Sequence, residues 1–177
     1  EYHIPKFIFS SSCTVYGEVE TECVTEDTIC NIANSPYGRT KQICEELIFA
    51  ALRNQTTCSS LSLRYFNPAG AHVTGLIGED PRNPALNLIP IITETAIGKR
   101  KSMTVYGNDY PTRDGSCIRD YIHVSDLATA HVQSLNYLFA HPTAPIFDVI
   151  NLGTGRGTTV LEAIQAFEQN TGLTLSY

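Results

Sequence analysis

Two short apolar runs separated by one amphipathic stretch limit this chain to a small set of folds. Residues 6–11 (KFIFSS) and 60–66 (SLSLRYF) have the composition of buried strands. Between them, Ser35 and Pro36 are favourable residues for the start of a helix, and apolar residues then recur at helical spacing to about residue 53. A strand, a helix and a second strand in this order predict a βαβ unit with a parallel sheet. We therefore expect an α/β protein.

After residue 66 the sequence predicts a long irregular connection and then further helices and strands. Residues 67–90 are rich in glycine and proline, and an irregular segment of that length in a compact domain is usually functional or disordered. The expected elements are a helix at 88–98, a short strand at 103–107 (MTVYG), a strand at 117–124 (CIRDYIHV), a helix capped by Ser125 and reaching about 140, a strand at 147–153, and a last helix with a capping box of Thr159 and Glu162 that ends before Gly172.

Composition and charge exclude several classes of function. The net charge of −6, without any basic run, is unfavourable for binding nucleic acid. No apolar stretch approaches the length that spans a bilayer, so we expect no membrane association. The expected location is cytoplasmic, and the alternative is a protein whose leader is not part of this chain. The six cysteines form no CxxC pair, which argues against a zinc site, and we expect no metal. Cys13, Cys44 and Cys117 fall within apolar or helical patterns, where free cysteine behaves as a small hydrophobic residue, so we expect no disulfide framework.

Tyr37 and Lys41 in the stretch SPYGRTK form the first candidate for chemistry. Residues four apart on a helix are neighbours, and an ammonium beside a phenol favours the phenolate that a general base requires. The pair is also common on ordinary helices. Its position after a strand that ends in serines favours catalysis, because ligands of α/β proteins gather at the carboxyl ends of the strands. With Ser12, the pair could move a proton while a hydride passes to a nicotinamide.

Six longer strings resemble one known family along almost the whole chain. They are FIFSSSCTVYGE, SPYGRTK, LRYFNPAGAH, GLIGEDP, GNDYPTRDGSCIRDYIHVSDLATAH and NLGTGRGTTV. Together they resemble the UDP-glucose 4-epimerases, which are extended short-chain dehydrogenases/reductases. The resemblance implies interconversion of UDP-galactose and UDP-glucose by inversion at C4 through a 4-keto intermediate, with tightly bound NAD and a homodimeric assembly.

The resemblance also implies a domain organisation. Residues 1–67 would be the C-terminal part of a Rossmann-like NAD-binding domain. Residues 68–177 would be mainly a smaller α/β domain that binds the UDP-sugar, with some segments returning to the nucleotide domain. The glycine-rich NAD motif of the family would lie upstream of Glu1. The chain is therefore expected to be a fragment that lacks the N-terminal half of the cofactor domain and is inactive alone.

Residue by residue, the resemblance assigns catalytic roles to the first strand and helix. Tyr37 would take the proton of the sugar 4-hydroxyl, and Lys41 would tune Tyr37 and bond the nicotinamide ribose. Ser12 would pass the proton, with Thr14 close by. Phe66 would lie against the cofactor, so that the expected NAD-binding residues are Ser12, Tyr37, Lys41 and Phe66.

The expected UDP-sugar residues come from the second half of the chain. Asn67 and Arg119 would bind the diphosphate. Asn87 and Leu88 would begin the helix that holds the nucleotide. The last group would be a short strand that lines the uracil pocket and contains Thr104, Val105 and Tyr106.

Some residues depart from the family pattern or have no expected role in the chemistry. Leu86 stands where the family commonly has an asparagine. The residues that we interpret as structural are Tyr16, Tyr65, Asp120, His123, Asp126, His131 and the glycines of NLGTGRG.

Sugar-nucleotide dehydratases and decarboxylases carry an acidic residue where this chain has Thr14. The open alternatives are a 4-epimerase of an N-acetylhexosamine or pentose UDP-sugar, and a non-catalytic epimerase-like sensor or inactive fragment.

Overall fold

The computed structural model describes residues 4–21, 23–54, 57–142 and 146–177. In chain order its strands are β1 (Lys6–Ser12), β2 (Ser59–Tyr65), β3 (Asn67–Ala69), β4 (Ile118–His123), β5 (Phe147–Leu152) and β6 (Gly157–Thr159). Its helices are α1 (Pro36–Leu52), α2 (Leu88–Ala96), α3 (Val124–Ala140) and α4 (Val160–Thr171), and a 3₁₀ turn covers Cys13–Tyr16.

The described residues form two compact units. The first consists of Glu1–Phe66 with Asp126–Gly153, and the second consists of Asn67–Ser125 with Thr154–Tyr177. The chain thus leaves the first unit after β2 and returns to it within α3. The functional roles expected for the two parts of the chain remain predictions.

A parallel sheet with the strand order β1-β2-β5 organises the first unit. On one face, Leu61 and Leu63 of β2 pack against Leu138 of α3 in a buried apolar cluster. Side chains alternate along a strand, so Arg64 lies on the other face, where it pairs with Glu45 of α1. Helices therefore pack on both faces of a parallel sheet, which confirms the predicted α/β class.

The second unit contains a smaller mixed sheet. β3 runs parallel to β4, and β4 runs antiparallel to β6. Its apolar core joins Ile92 of α2, Met103, Ile164 of α4 and Leu175. The final helix begins as predicted.

The predicted capping box of α4 is present with both of its hydrogen bonds. The Thr159 hydroxyl accepts the Glu162 N–H, and the Glu162 carboxylate accepts the Thr159 N–H. Gly172 ends the helix in the left-handed conformation, with φ of 71°. Both signals lie within a few residues of the helix ends, so the sequence alone contains them.

Two predicted elements were wrong. Residues 103–107 form no strand, because the Met103 N–H donates to the Ser176 carbonyl at 2.9 Å without a continuing ladder of bonds. α3 begins at Val124, so Ser125 is its second residue and does not occupy the N-cap position. The His123 side chain contributes there, because its Nδ1 accepts the Ser125 N–H at 3.1 Å.

Candidate functional site

The carboxyl end of β1 leads directly into a short polar turn. Ser12, the last residue of the strand, is buried, and its hydroxyl accepts hydrogen bonds from the Thr14 N–H at 3.3 Å and the Thr14 hydroxyl at 3.0 Å. Thr14 itself is exposed. The strand end therefore presents two linked hydroxyl groups at the sheet edge where α/β proteins bind ligands.

Gly38 allows the start of α1 to lie against this turn. A Cβ atom at this position would lie 2.9 Å from the Ala33 Cβ and 3.1 Å from the Thr14 carbonyl oxygen, closer than side chains normally approach. Sequence reasoning missed Gly38. The available signal was a glycine in the first turn of a helix, which costs about 1 kcal/mol relative to alanine and so needs a packing reason.

Tyr37 and Lys41 lie on the same face of α1, as their spacing predicted. The Lys41 ammonium is 5.5 Å from the centre of the Tyr37 ring and 5.1 Å from that of Phe9. It donates a hydrogen bond to the Ser10 carbonyl at 2.8 Å. Tyr37 is 57% exposed, and within the described part of the chain its hydroxyl has no hydrogen-bond partner. The ammonium is thus anchored, whereas the phenol is available to an incoming hydroxyl group.

Tyr65 and His131 form a hydrogen-bonded pair beside these groups, which sequence reasoning did not include in the site. The Tyr65 hydroxyl lies 2.7 Å from the Ser10 hydroxyl and 2.5 Å from His131 Nε2. Burial raises the pKa of Tyr65, the Ser10 hydrogen bond opposes that rise, and the nearby Tyr37 adds to it. Tyr65 is therefore a neutral phenol next to the candidate base.

Phe66 follows β2 at the same edge of the sheet. Its N–H donates to the Leu152 carbonyl at 3.0 Å, which ties it to the end of β5, and its side chain is half-buried. The structure therefore places all five catalytic and cofactor candidates, including Phe66, in the first unit.

The diphosphate candidates and the helix-start candidates lie in the second unit. Asn67 begins β3 and is paired with Tyr121. Asn87 occupies the N-cap position of α2, but its side chain bonds Glu79 at 3.3 Å and does not cap the helix. Leu88, the first helical residue, is half-buried, whereas Leu86 before it is 92% exposed.

Of the residues expected to line a uracil pocket, one lines a cavity of about 270 Å³, and none of them lies in a strand. Val105 lines this cavity together with Asn108, Ser116 and Leu161. Thr104 and Tyr106 are exposed on either side of Val105. The pattern of alternating exposure survives without strand hydrogen bonding.

Arg119 lies in β4 and is exposed. Its Nη1 bonds the Cys117 sulfur and, at 2.7 Å, the Ile118 carbonyl, so the guanidinium lies along its own strand. None of the described carboxylates forms an ion pair with it. The charge of Arg119 is therefore available for an anion, and no hydrogen bond between described residues links it to the other substrate candidates.

The glycine-rich loop NLGTGRG binds a carboxylate of the chain itself. Asp120 accepts the Thr154 and Gly155 N–H groups at 2.9 and 2.8 Å and the Thr154 hydroxyl at 2.6 Å. Since these donors are engaged, a phosphate-binding role for the loop finds no support in its geometry.

The described residues contain neither a metal-binding cluster nor a membrane-spanning helix. No group of three or more histidine, cysteine, aspartate or glutamate side chains within 4–21, 23–54, 57–142 and 146–177 is arranged to hold a metal ion. No helix in the same ranges combines the length and apolar character that crossing a membrane would need.

Comparison with known proteins identifies close relatives. A family model described as the NAD dependent epimerase/dehydratase family matches residues 1–153. The UDP-glucose 4-epimerase of Drosophila melanogaster is 46% identical over 172 residues, which are 97% of this chain and 49% of that protein.

Solved structures of epimerases share the fold. The UDP-glucose-4-epimerase of Stenotrophomonas maltophila, with bound NAD and formylated UDP-arabinopyranose, has a TM-score of 0.91 and 44% identity over 98% of this chain and 50% of its own. The Bifidobacterium longum enzyme, in complex with NAD+ and UDP, has a TM-score of 0.90 and 43% identity over 98% of this chain and 50% of its own. The chain thus spans about half the length of these relatives.

Proposed function

The chain belongs to the NAD dependent epimerase/dehydratase family, and we propose that it carries the catalytic residues of an NAD-dependent isomerase that interconverts UDP-galactose and UDP-glucose. Inversion at C4 would proceed through a 4-keto sugar. The observation that carries this proposal is the geometry at the end of β1, where an anchored Lys41 lies beside an unpaired Tyr37 and a polar turn of Ser12 and Thr14.

In this mechanism the chain moves one proton. Tyr37 removes the proton from the 4-hydroxyl of one epimer and returns a proton to the oxygen of the other. The Lys41 ammonium stabilises the negative charge on the tyrosine oxygen. Ser12 bonds the same sugar oxygen and supports the transfer.

The donor groups at this strand end suit a nicotinamide nucleotide. A lysine ammonium, an unpaired phenol and a serine hydroxyl match the hydroxyl groups of a ribose, and Phe66 offers an apolar face at the same edge. Lys41, Tyr37, Ser12 and Phe66 would hold the cofactor. NAD, when bound, would accept the hydride of C4 and return it.

Thr14 supports epimerisation over elimination or decarboxylation. A dehydratase or decarboxylase needs a further acid–base group beside the sugar, and the resemblance implies that those enzymes carry an acidic residue at this position. Here the group is a hydroxyl bonded to Ser12 at 3.0 Å. A hydroxyl pair can bind and release a sugar oxygen but offers no second base of suitable strength.

The nucleotide would be bound by residues of the second unit. We propose that Arg119 and Asn67 bind the diphosphate, since a guanidinium without an ion pair suits phosphate oxygens. The proposed remainder of the nucleotide site comprises Asn87, Leu88, Thr104, Val105 and Tyr106. Tight binding of UDP with loose binding of the sugar would let the 4-keto sugar turn over between the two hydride transfers.

A pentose UDP-sugar is a second candidate substrate. The S. maltophila relative binds a formylated UDP-arabinopyranose, which lacks the hexose C6 hydroxymethyl group. The chemistry at C4 is the same for both sugars, so the same residues would act. We further propose a cytoplasmic homodimer as the working assembly.

The test is conversion of UDP-galactose by the polypeptide at its native length, compared with its Tyr37→Phe variant. Loss of a general acid–base group lowers turnover on the order of 10²–10⁴-fold, while UDP binding measured by calorimetry should stay unchanged. Tyr137→Phe removes another exposed phenol of the first unit and serves as the control. Near-normal turnover of the Tyr37 variant would refute the assignment.

A further inference from the structure

Ser10 joins two hydrogen-bonded groups on β1. Its carbonyl accepts the Lys41 ammonium at 2.8 Å, and its hydroxyl lies 2.7 Å from the Tyr65 hydroxyl. Tyr65 in turn contacts His131 of α3. One residue of β1 therefore connects the ammonium on α1 with a phenol on β2 and an imidazole on α3.

His131 has a hydrogen-bond partner at each ring nitrogen. Its Nδ1 lies 2.8 Å from the Leu127 carbonyl, which can only accept, so Nδ1 carries the proton. Its Nε2 lies 2.5 Å from the Tyr65 hydroxyl, which also bonds the Ser10 hydroxyl at 2.7 Å. The Tyr65 hydroxyl is therefore held from both sides, and we call Ser10, Tyr65 and His131 the tether.

We propose that Tyr65 and His131 are positioning residues that hold Ser10, and through the Ser10 carbonyl the Lys41 ammonium, in the geometry that the reaction needs. This inference rests on the proposed function, since it takes Tyr37 and Lys41 as the catalytic pair. In this proposal neither Tyr65 nor His131 touches the sugar. They act by limiting the movement of the strand segment to which the ammonium is bonded.

The consequence is a selective effect on turnover. A displacement of about 1 Å in a catalytic group can lower the rate on the order of 10²-fold. The candidates for UDP binding lie in the second unit and include no member of the tether. Weakening the tether should therefore lower kcat and leave the KM for the UDP-sugar nearly unchanged.

The histidine that follows α3 provides an internal control for this argument. His141 bonds the Tyr137 carbonyl through Nδ1 at 2.8 Å, as His131 bonds Leu127. Within the described ranges no tyrosine hydroxyl bonds Nε2 of His141. A substitution at His141 thus reproduces the helix-anchoring part of the change at His131 without touching the tether.

Substitution of His131 by asparagine or by glutamine removes one of its two hydrogen bonds and keeps the other. In His131→Asn the amide reaches the Nδ1 position, so the bond to Leu127 is kept and the partner of Tyr65 is lost. In His131→Gln the amide reaches the Nε2 position, so the partner of Tyr65 is kept and the Leu127 bond is lost. A structural role and a positioning role therefore predict opposite rankings of the two variants.

The experiment measures kcat and KM for UDP-galactose, with thermal unfolding of each variant, in the polypeptide at its native length. Tyr65→Phe and His131→Asn should lose about 10- to 100-fold in kcat, with KM within about twofold of the unsubstituted protein. His131→Gln and His141→Gln should retain most of the turnover. If His131→Asn does not fold, Tyr65→Phe carries the test, because it leaves the bond of His131 to Leu127 intact.

The outcomes separate this inference from the proposed function. An unsubstituted protein that leaves UDP-galactose unconverted overturns both. Normal conversion together with a fully active Tyr65→Phe or folded His131→Asn overturns the tether alone. So does a His131→Gln variant that is impaired while His131→Asn is active, since that ranking means His131 only anchors its helix.

Discussion

Removing the carboxylate of Glu45 should destabilise the first unit strongly. Glu45 accepts two hydrogen bonds from Arg64, at 3.1 and 2.7 Å, and a third from the Ser11 hydroxyl at 2.5 Å. The two charged side chains are only 7% and 11% exposed. Arg64 Nη1 already has no hydrogen-bond partner among the described residues. Glu45→Ala would leave the buried charge of Arg64 without its ion-pair partner.

The size of the loss in stability follows from the burial of the Arg64 charge. Breaking a buried ion pair by removing one partner costs about 3–5 kcal/mol. For a chain of this size that corresponds to a fall in Tm of about 6–20 °C. The pair itself need not be favourable, since an apolar replacement of both members is often neutral. We therefore expect Glu45→Leu with Arg64→Met to recover most of the stability that Glu45→Ala loses.

The neighbouring residue on α1 gives a matched control. Glu46 pairs with Arg39 at 3.4 Å, but their side chains are 65% and 46% exposed. Glu46→Ala should cost less than about 1 kcal/mol. Urea unfolding of the variants at neutral pH measures both losses. If Glu45→Ala costs no more than Glu46→Ala, the reasoning from burial is wrong.

Three further changes test other parts of the account. Thr159→Ala removes a buried cap and its bond to Asp114, and urea unfolding should show a loss of about 1–2 kcal/mol; an unchanged midpoint would contradict the capping argument. The Arg113 guanidinium holds the pKa of Glu162 at about 2. The stability that Glu162 contributes is therefore full above its unfolded-state value of about 4.3 and is lost as pH falls toward 2; acid unfolding of Glu162→Gln should converge with the unsubstituted protein there, and a gap that persists would refute this. Gly38→Ala should displace Tyr37 from the turn and lower kcat roughly 10-fold in the UDP-galactose assay, whereas full turnover would show that the close approach is dispensable.

The sequence contained the local signals of the fold. Ser35 caps α1 by accepting the Gly38 N–H at 3.0 Å, and Thr159 with Glu162 forms the capping box of α4. The strand at 103–107 was wrong because strand formation needs a partner ladder, which depends on distant chain segments. The N-cap predicted at Ser125 was wrong because α3 begins one residue earlier, where the His123 side chain accepts the Ser125 N–H.

In the candidate site, too, only the local arrangement could be predicted from the sequence. Tyr37 and Lys41 are four residues apart, so helical geometry alone places them together. The bond of Lys41 to Ser10 spans 31 positions, and that of Tyr65 to His131 spans 66. No periodicity reports contacts at such separations. The anchoring of the ammonium and the tether behind it therefore required the structure.

The most direct test of the central claim follows a label at C4. The polypeptide at its native length would be incubated, without added NAD, with UDP-galactose that carries deuterium on C4. The account predicts UDP-glucose that retains the deuterium on C4, because the hydride leaves and returns within one site. UDP-glucose with hydrogen from solvent at C4, or no UDP-glucose, would contradict it.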